Sequence, residues 1–223
     1  PYELKELAPR QFALFEGGEK VDVDLYYAPR RQRTGPELVT SKGTPVGDLV
    51  ELRGRCYRIV AVRFCEYFKD GDECKFCNFN ATQDDARSIG LGRTTTISVE
   101  DTVEAFVMHA SEDRAVEGYM EMGAFENREN EVRIHANLFE KLSSATRYKP
   151  HLGASAQPES RKDMQRLKDA GLDSVFLHLE VWDPDLYAET VPGKAQFIGR
   201  DRCLEALEEA VDIFGRGHVG TVF

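Results

Sequence analysis

The sequence has no apolar run near the length of a membrane-spanning helix, which needs about 20 residues. Its first residues, PYELKELAPR, are charged and lack the apolar segment of a secretory signal. Acidic residues outnumber lysine and arginine by 39 to 29, so the net charge is −10. We therefore expect a cytoplasmic protein with no nucleic-acid or membrane partner, because such partners are bound through an excess of positive charge.

Cysteine is also scarce. The chain has five cysteines in 223 residues, an odd number at low density, so a disulfide scaffold is not expected. Cys56 and Cys203 lie in apolar or helical segments and are predicted to be buried thiols. The other three, Cys65, Cys74 and Cys77, lie within FCEYFKDGDECKFCNFN (64–80) and are too closely grouped for the same interpretation.

The periodicity of the sequence divides it into two parts. Residues 1–55 are predicted to form a small β-rich extension, with a strand in KVDVDLYYA (20–28) and two β-like runs that form a hairpin around residues 53–55. From residue 56 onward, strands alternate with helices. The predicted strands lie near 57–64, 115–122, 149–156, 172–181 and from 218 onward, and the predicted helices near 98–113, 136–148, 158–171 and 200–215.

This alternation is typical of an α/β fold with a parallel sheet and helical crossovers, either an open sheet or a (βα) barrel. In both architectures ligands bind at the carboxyl ends of the strands. The residues of interest are therefore Cys65 onward, 121–125, 154–157 and 178–183. The final stretch, GHVGTVF, reads as the start of another strand, and we expect further protein to follow it.

The three clustered cysteines allow several interpretations. Structural zinc needs four ligands, usually in two close pairs, whereas this loop offers one close pair, one distant cysteine and no histidine. A redox-active pair of the CxxC type would use Cys74 and Cys77 but would leave Cys65 unexplained. A 4Fe–4S cluster held by three cysteines has one iron without a protein ligand, and that iron can bind a substrate or cofactor.

The loop resembles that of radical SAM (S-adenosylmethionine) enzymes, whose signature is three cysteines after the first barrel strand, most often spaced C-x3-C-x2-C. Cys74-Lys75-Phe76-Cys77 matches the second half of this signature, including the aromatic residue before the last cysteine. The first spacing departs from it, because eight residues separate Cys65 from Cys74. The acidic part of this insert, KDGDE (69–73), is expected to loop out while Cys65 returns to the cluster.

The resemblance covers roughly residues 56–223 and implies a partial (βα)6 TIM-like barrel. The region 172–211 is similar to biotin-synthase-like members of the family. It also implies cofactor contacts, with Cys65, Cys74 and Cys77 as cluster ligands and Phe76 stacking on adenine. The implied contacts after the strands are Glu121, Ser155, Gln157, His178 and Glu180. Glu180 would accept hydrogen bonds from the ribose hydroxyl groups. Arg202 would hold the cofactor carboxylate, with Lys194 as the second candidate. The family's Gly-Gly-Glu motif is matched poorly by Glu121-Met122-Gly123-Ala124.

The implied activity is reductive cleavage of S-adenosylmethionine to a 5′-deoxyadenosyl radical, which abstracts hydrogen from a small-molecule or cofactor-precursor substrate. A 4Fe–4S cluster and S-adenosylmethionine are the expected cofactors, and flavodoxin or ferredoxin is the expected type of electron donor. Two alternatives of another class stay open at this point: a binding module stabilised by zinc, and an iron–sulfur protein for electron transfer or sensing that does not cleave S-adenosylmethionine.

Overall fold

A computed structural model describes residues 2–8, 11–23, 25, 38–53, 56–88, 96–110, 117–146, 151–157 and 160–223. The chain divides into two compact units, Pro1–Arg33 and Thr34–Phe223. In the first unit, strands β1 (Tyr2–Ala8), β2 (Gln11–Glu16) and β3 (Glu19–Lys20) form an antiparallel sheet in that order. The strand predicted over 20–28 is wrong at residues 21–23, which are irregular, and residues 24 and 26–28 lie outside the described part.

The second unit contains six strands in one sheet. They are β4 (Val50–Arg53), β5 (Cys56–Val60), β6 (Glu117–Glu121), β7 (His151–Ser155), β8 (Ser174–Phe176) and β9 (Val219–Gly220). The sheet follows chain order, with β4 antiparallel to β5 and every later pair parallel. The two strands of the hairpin predicted around residues 53–55 pair antiparallel in this sheet, and residues 54 and 55 lie outside the described part. The domain boundary placed at residue 55 stays a prediction.

One short helix precedes β4, and the other helices lie between the parallel strands. The helices are α1 (Val46–Leu49), α2 (Phe79–Ser88), α3 (Val99–Ala110), α4 (Arg128–Ala145), α5 (Arg161–Asp169), α6 (Pro184–Thr190), α7 (Pro192–Phe197) and α8 (Arg200–Phe214). The predicted fold class is confirmed as an α/β fold with a parallel sheet, and the sheet does not close on itself within the described residues. None of the helices in that part of the chain is both long enough and apolar enough to span a bilayer.

Local signals in the sequence place several helix ends. The Ser98 side chain accepts the backbone N–H of Asp101 at 3.3 Å and thereby caps the start of α3. Gly171 and Gly215 follow α5 and α8 with φ values of 104° and 93°, which favour glycine at a helix end. The crossovers therefore begin and end near the predicted positions.

The core lies between the sheet and its helices. Alternate strand residues such as Ile59, Met120 and Leu152 are fully buried against Phe106 of α3 and Phe139 of α4. Each such apolar side chain contributes about 1.5–3 kcal/mol through burial. This packing holds the strands in register, so that their carboxyl ends meet at one edge.

Candidate active site

One cavity of about 210 Å³ lies at the carboxyl ends of the parallel strands. It brings together every predicted site residue except Arg202: Cys65, Cys74, Phe76, Cys77, Glu121, Ser155, Gln157, His178, Glu180 and Lys194. Wider clefts run along the outer surface of α4 and α5, but they are lined mainly by charged helix residues such as Arg133, Arg166 and Asp169. The position of the strand-end cavity agrees with the rule for parallel α/β sheets.

The cysteine loop starts four residues beyond the end of β5. Cys65 donates its backbone N–H to Asn80 Oδ1 at 3.2 Å, and a short 3₁₀ helix, Glu66–Phe68, follows it directly. Cys77 donates its backbone N–H to the Cys74 carbonyl at 2.8 Å, so the close pair is part of a tight turn. All three cysteines are partly buried and free of disulfides.

The eight-residue insert is anchored at both sides of its exposed tip. Tyr67 is 2% exposed and stacks on Phe197 of α7, with ring centroids 5.3 Å apart. Asp70 and Gly71 are exposed, but the Asp72 carbonyl accepts the backbone N–H of Gly193 at 2.9 Å. The expectation that KDGDE loops out is therefore correct only at its centre, because its end packs against the α6–α7 segment.

Burial shifts the pKa of the Cys65 and Cys74 thiols. It raises the pKa of Cys65, against backbone hydrogen bonds that lower it. It also raises the pKa of Cys74 to about 11, although the Lys194 charge acts in the opposite direction. A thiol in such surroundings becomes a thiolate when a bound cation replaces its proton.

The grouping of ligands distinguishes a cluster from a single ion. Across the described ranges, no three His, Cys, Asp or Glu side chains are close enough to hold one metal ion. In an iron–sulfur cluster each cysteine binds a different iron, so its sulfur atoms lie farther apart than the ligands of one zinc ion. The three cysteines line one cavity, so each of them could bind a separate iron.

The loop after β6 packs tightly against the chain that leads to Cys65. A Cβ atom at Gly123 would lie 1.7 Å from the Phe64 carbonyl oxygen, so only glycine fits there. Glu66 also donates its backbone N–H to the Ala124 carbonyl at 2.9 Å. Glu121, at the end of β6, lines the cavity but accepts a 2.8 Å hydrogen bond from Arg58 Nε.

The ends of β7 and β8 supply most of the polar groups. Ser155 makes a hydrogen bond with the Tyr119 side chain. Gln157 donates from Nε2 to the His178 carbonyl at 3.5 Å, whereas its Oε1 is buried and has no partner in the described structure. A buried carboxamide oxygen of this kind is an acceptor for a ligand.

Glu180 and Lys194 form a partly buried ion pair in the cavity wall. Lys194 Nζ lies 2.7 Å from Glu180 Oε1 and 2.9 Å from the His178 carbonyl, and His178 Nδ1 lies 3.6 Å from Glu180 Oε1. Burial by itself raises the pKa of Glu180, but His178 and Lys194 outweigh it and lower that pKa to about 2. Glu180 also has a φ of 70°, and it is the single non-glycine residue with a positive φ in the described part. Such strain is concentrated at functional sites.

Two predicted contacts lie at or beyond the edge of this arrangement. Phe76 is 59% exposed, at the rim of the cavity. Arg202 is not among the lining residues; its guanidinium contacts Glu209 at 2.7 Å and Glu205 at 3.3 Å along α8. Of the two side chains considered for the cofactor carboxylate, only Lys194 therefore faces the cavity.

The lining also includes Met122, Gly123 and Ala124, which lie in the predicted region 121–125. Sequence reasoning did not single out Tyr67, Phe79 or Glu131, which line the cavity as well. Glu131 left a signal in the sequence. It occupies the buried face of α4, one position before Val132 and four before His135, where an apolar residue is expected. A charged residue on an apolar helix face indicates a buried polar partner.

The chain matches no family model. It is 28% identical over 174 residues to bacteriochlorophyllide c C-7(1)-hydroxylase of Chlorobaculum limnaeum, covering 71% of this chain and 42% of that protein. The chain thus spans less than half the length of this relative.

Solved structures show similarity in fold. The FeFe-hydrogenase maturase HydG is 16% identical with a TM-score of 0.53, covering 74% of this chain and 34% of that one. Methylornithine synthase (PylB) is 15% identical with a TM-score of 0.50, covering 74% and 43%. The hydroxylase and both of these proteins are radical SAM enzymes. The resemblance predicted from the cysteine loop is thereby confirmed: this chain is similar to one such enzyme in sequence and to two others in fold.

Proposed function

We propose that this chain contains the S-adenosylmethionine-cleaving core of a radical SAM enzyme. The observation that carries the proposal is the shared cavity, in which the three cysteines of the C-x8-C-x2-C loop meet Gln157 and the ion pair Glu180–Lys194 at the strand ends. This donor set fits a 4Fe–4S cluster, since three thiols are available and no fourth cysteine lines the cavity.

The three cysteines are the proposed ligands of the cluster. Cys65, Cys74 and Cys77 would hold the cluster. When bound, that group supplies reductive cleavage of S-adenosylmethionine, which yields a 5′-deoxyadenosyl radical able to abstract hydrogen from a substrate. One electron from a donor of the flavodoxin or ferredoxin type is consumed in each cleavage.

The ion pair gives the cavity one anionic and one cationic group. Lys194 is the cation for the carboxylate of the cofactor, because its Nζ reaches the cavity wall. Glu180 is ionised at neutral pH, since its pKa is about 2, and an ionised carboxylate accepts hydrogen bonds from both ribose hydroxyls. The exposed ring of Phe76 offers an apolar face for adenine.

The substrate is proposed only as a small molecule or cofactor precursor. The names of the similar proteins indicate a hydroxylase acting on a bacteriochlorophyllide, a maturase and an amino-acid synthase. These differ widely in substrate, and this chain covers less than half of each. The shared step, cleavage of S-adenosylmethionine, is therefore what the similarity supports.

The test is anaerobic reconstitution with iron and sulfide, reduction in the presence of S-adenosylmethionine, and chromatographic measurement of 5′-deoxyadenosine. We expect brown protein with about four irons per chain and formation of 5′-deoxyadenosine. The variants Cys65→Ala, Cys74→Ala and Cys77→Ala should each abolish the product, whereas Cys56→Ala and Cys203→Ala serve as matched controls that retain it.

Two outcomes would contradict the proposal. Colourless protein with one bound zinc would indicate the metal-stabilised binding module. Brown protein that is reduced but forms no 5′-deoxyadenosine would indicate an iron–sulfur protein for electron transfer or sensing. Loss of product in the Cys56→Ala control, with normal folding, would contradict the assignment of the ligands.

A further inference from the structure

A buried ion pair lies at the cavity, where Glu131 is a lining residue to which no role has been assigned so far. Arg128 and Glu131 are one turn apart at the start of α4, each with a side chain 5% exposed, and Arg128 Nη1 lies 3.3 Å from Glu131 Oε2. Burying two charges costs more free energy than a surface pair, and their mutual attraction often does not recover that cost. A buried pair of this kind can instead fix one specific geometry of the groups around it.

The pair binds both polar groups of the Gln157 backbone. Glu131 Oε1 accepts the backbone N–H of Gln157 at 2.8 Å, and Arg128 Nη2 donates to the Gln157 carbonyl. Gln157 lies beyond the last residue of β7, so the sheet does not pair these groups. The chain direction at this strand end is therefore set by the ion pair.

The same pair reaches the cysteine loop. Arg128 Nη1 lies 3.4 Å from the hydroxyl of Tyr67, which belongs to the insert between Cys65 and Cys74. A single guanidinium thus contacts the loop that carries the predicted cluster ligands and the strand end that carries Gln157. Because Arg128, Glu131 and Tyr67 are buried, small displacements on one side are transmitted to the other.

The residue that the pair positions, Gln157, has a side-chain oxygen with no hydrogen-bond donor among the described residues. Gln157 lines the cavity, its Nε2 is directed to the His178 carbonyl, and its buried Oε1 has no partner in the described residues. Leaving a buried acceptor unpaired costs about 1–3 kcal/mol, so the site is arranged for a ligand that donates. S-adenosylmethionine carries such donors in its amino group and ribose hydroxyls.

We propose that Arg128 and Glu131 are positioning residues that hold Gln157 so that its side-chain oxygen accepts a hydrogen bond from bound S-adenosylmethionine. This inference rests on the proposed function, because it takes that molecule as the ligand of the cavity. It assigns to Arg128 and Glu131 no contact with the reacting atoms. Their effect on binding is exerted through Gln157.

The experiment measures binding of S-adenosylmethionine to reconstituted, unreduced protein by equilibrium dialysis. Gln157→Leu removes the acceptor and is expected to weaken binding about tenfold. The double variant Arg128→Met/Glu131→Met removes both charges together, so that no single buried charge is left without its partner. It should weaken binding by a similar factor while the iron content stays near that of the wild type.

The triple variant separates positioning from a general structural role. If the pair acts through Gln157, adding Gln157→Leu to the double variant causes no further loss beyond about twofold. If the loss of affinity in the triple variant equals the product of the two separate losses, the inference is overturned. It is also overturned if Gln157→Leu binds S-adenosylmethionine with wild-type affinity, whatever the stability of the double variant.

The control is the exposed pair Arg161 and Asp212, with side chains 55% and 68% exposed and a 3.2 Å contact. Arg161→Met/Asp212→Asn should bind S-adenosylmethionine as the wild type does. If the wild type binds S-adenosylmethionine and the Gln157 and Arg128/Glu131 variants bind it equally well, this inference is overturned and the proposed function stands. Wild-type protein that does not bind S-adenosylmethionine overturns both.

Discussion

Replacing Lys194 by methionine tests the charge arrangement in the cavity wall. The Glu180 side chain is 15% exposed and its pKa is about 2, because His178 and Lys194 outweigh the opposing effect of burial. Relative to the ordinary value of 4.5, this shift corresponds to roughly 3 kcal/mol of stability at neutral pH. His178 and Lys194 share that stabilisation, and Lys194, at 2.7 Å, is the closer partner.

The sign of the pH dependence follows from the depressed pKa. Stabilisation by ionised Glu180 is complete above the unfolded pKa, near 4.5, and is lost as the pH falls toward 2. In Lys194→Met the pKa of Glu180 rises, so we expect the free energy of unfolding to fall by about 2 kcal/mol at pH 7. At pH 3 the deficit should be about 1 kcal/mol smaller, because Glu180 of the folded variant then binds a proton.

Urea unfolding between pH 7 and pH 3 measures the stability deficit of Lys194→Met and its change with pH. Lys141→Met is the matched control. Lys141 likewise lowers the pKa of its partner Glu100 to about 2, but the Glu100 side chain is 61% exposed and solvent screens the pair. The control should unfold like the wild type at each pH. A Lys194→Met deficit that does not change with pH would refute the assignment of this charge to Glu180.

Two further predictions concern the cysteine loop and the cofactor carboxylate. Gly193→Ala would place a methyl carbon 2.5 Å from the Tyr67 ring, so we expect a loss of about 1–3 kcal/mol in urea unfolding and less iron per chain after reconstitution. Gly71→Ala has open space around its Cβ and should cost only about 1–2 kcal/mol for its left-handed backbone, with iron content retained; equal iron loss would contradict this. In dialysis, Lys194→Met should weaken S-adenosylmethionine binding more than Arg202→Met, and the reverse ranking would restore Arg202 as the carboxylate ligand.

The repeating part of the fold was predictable because its signals are local. Buried strands at the predicted positions and capped helices such as α3 follow from periodicity and from residues such as Ser98. The rule for strand ends then selected residues 154–157 and 178–183, and the family resemblance implied Gln157, His178 and Glu180 within them. Parallel strands bring their carboxyl ends together whatever the loops between them contain.

What escaped prediction depends on partners distant in sequence. Glu121 was predicted as a cofactor contact and lines the cavity, but its pairing with Arg58 of the neighbouring strand, 63 residues away, was not foreseen. Arg202 was preferred over Lys194 because of its place at a helix start, yet the helix directs it to Glu209, two turns along the same face. Helices α6 and α7, which carry Lys194 into the cavity wall, have too few residues for a clear period.

The long spacing between Cys65 and Cys74 is explained by what the insert contacts. Ordering each additional residue costs about 1–2 kcal/mol of conformational entropy, so an insert that only looped out would weaken the site. Here Tyr67 is fully buried against α7, and the Gly193 N–H binds the insert one residue before Lys194. The insert therefore fastens the cysteine loop to the segment that supplies the cavity's cation. A shorter loop would bring the cysteines together without that connection, which is why the departure from the usual spacing belongs to the architecture of this site.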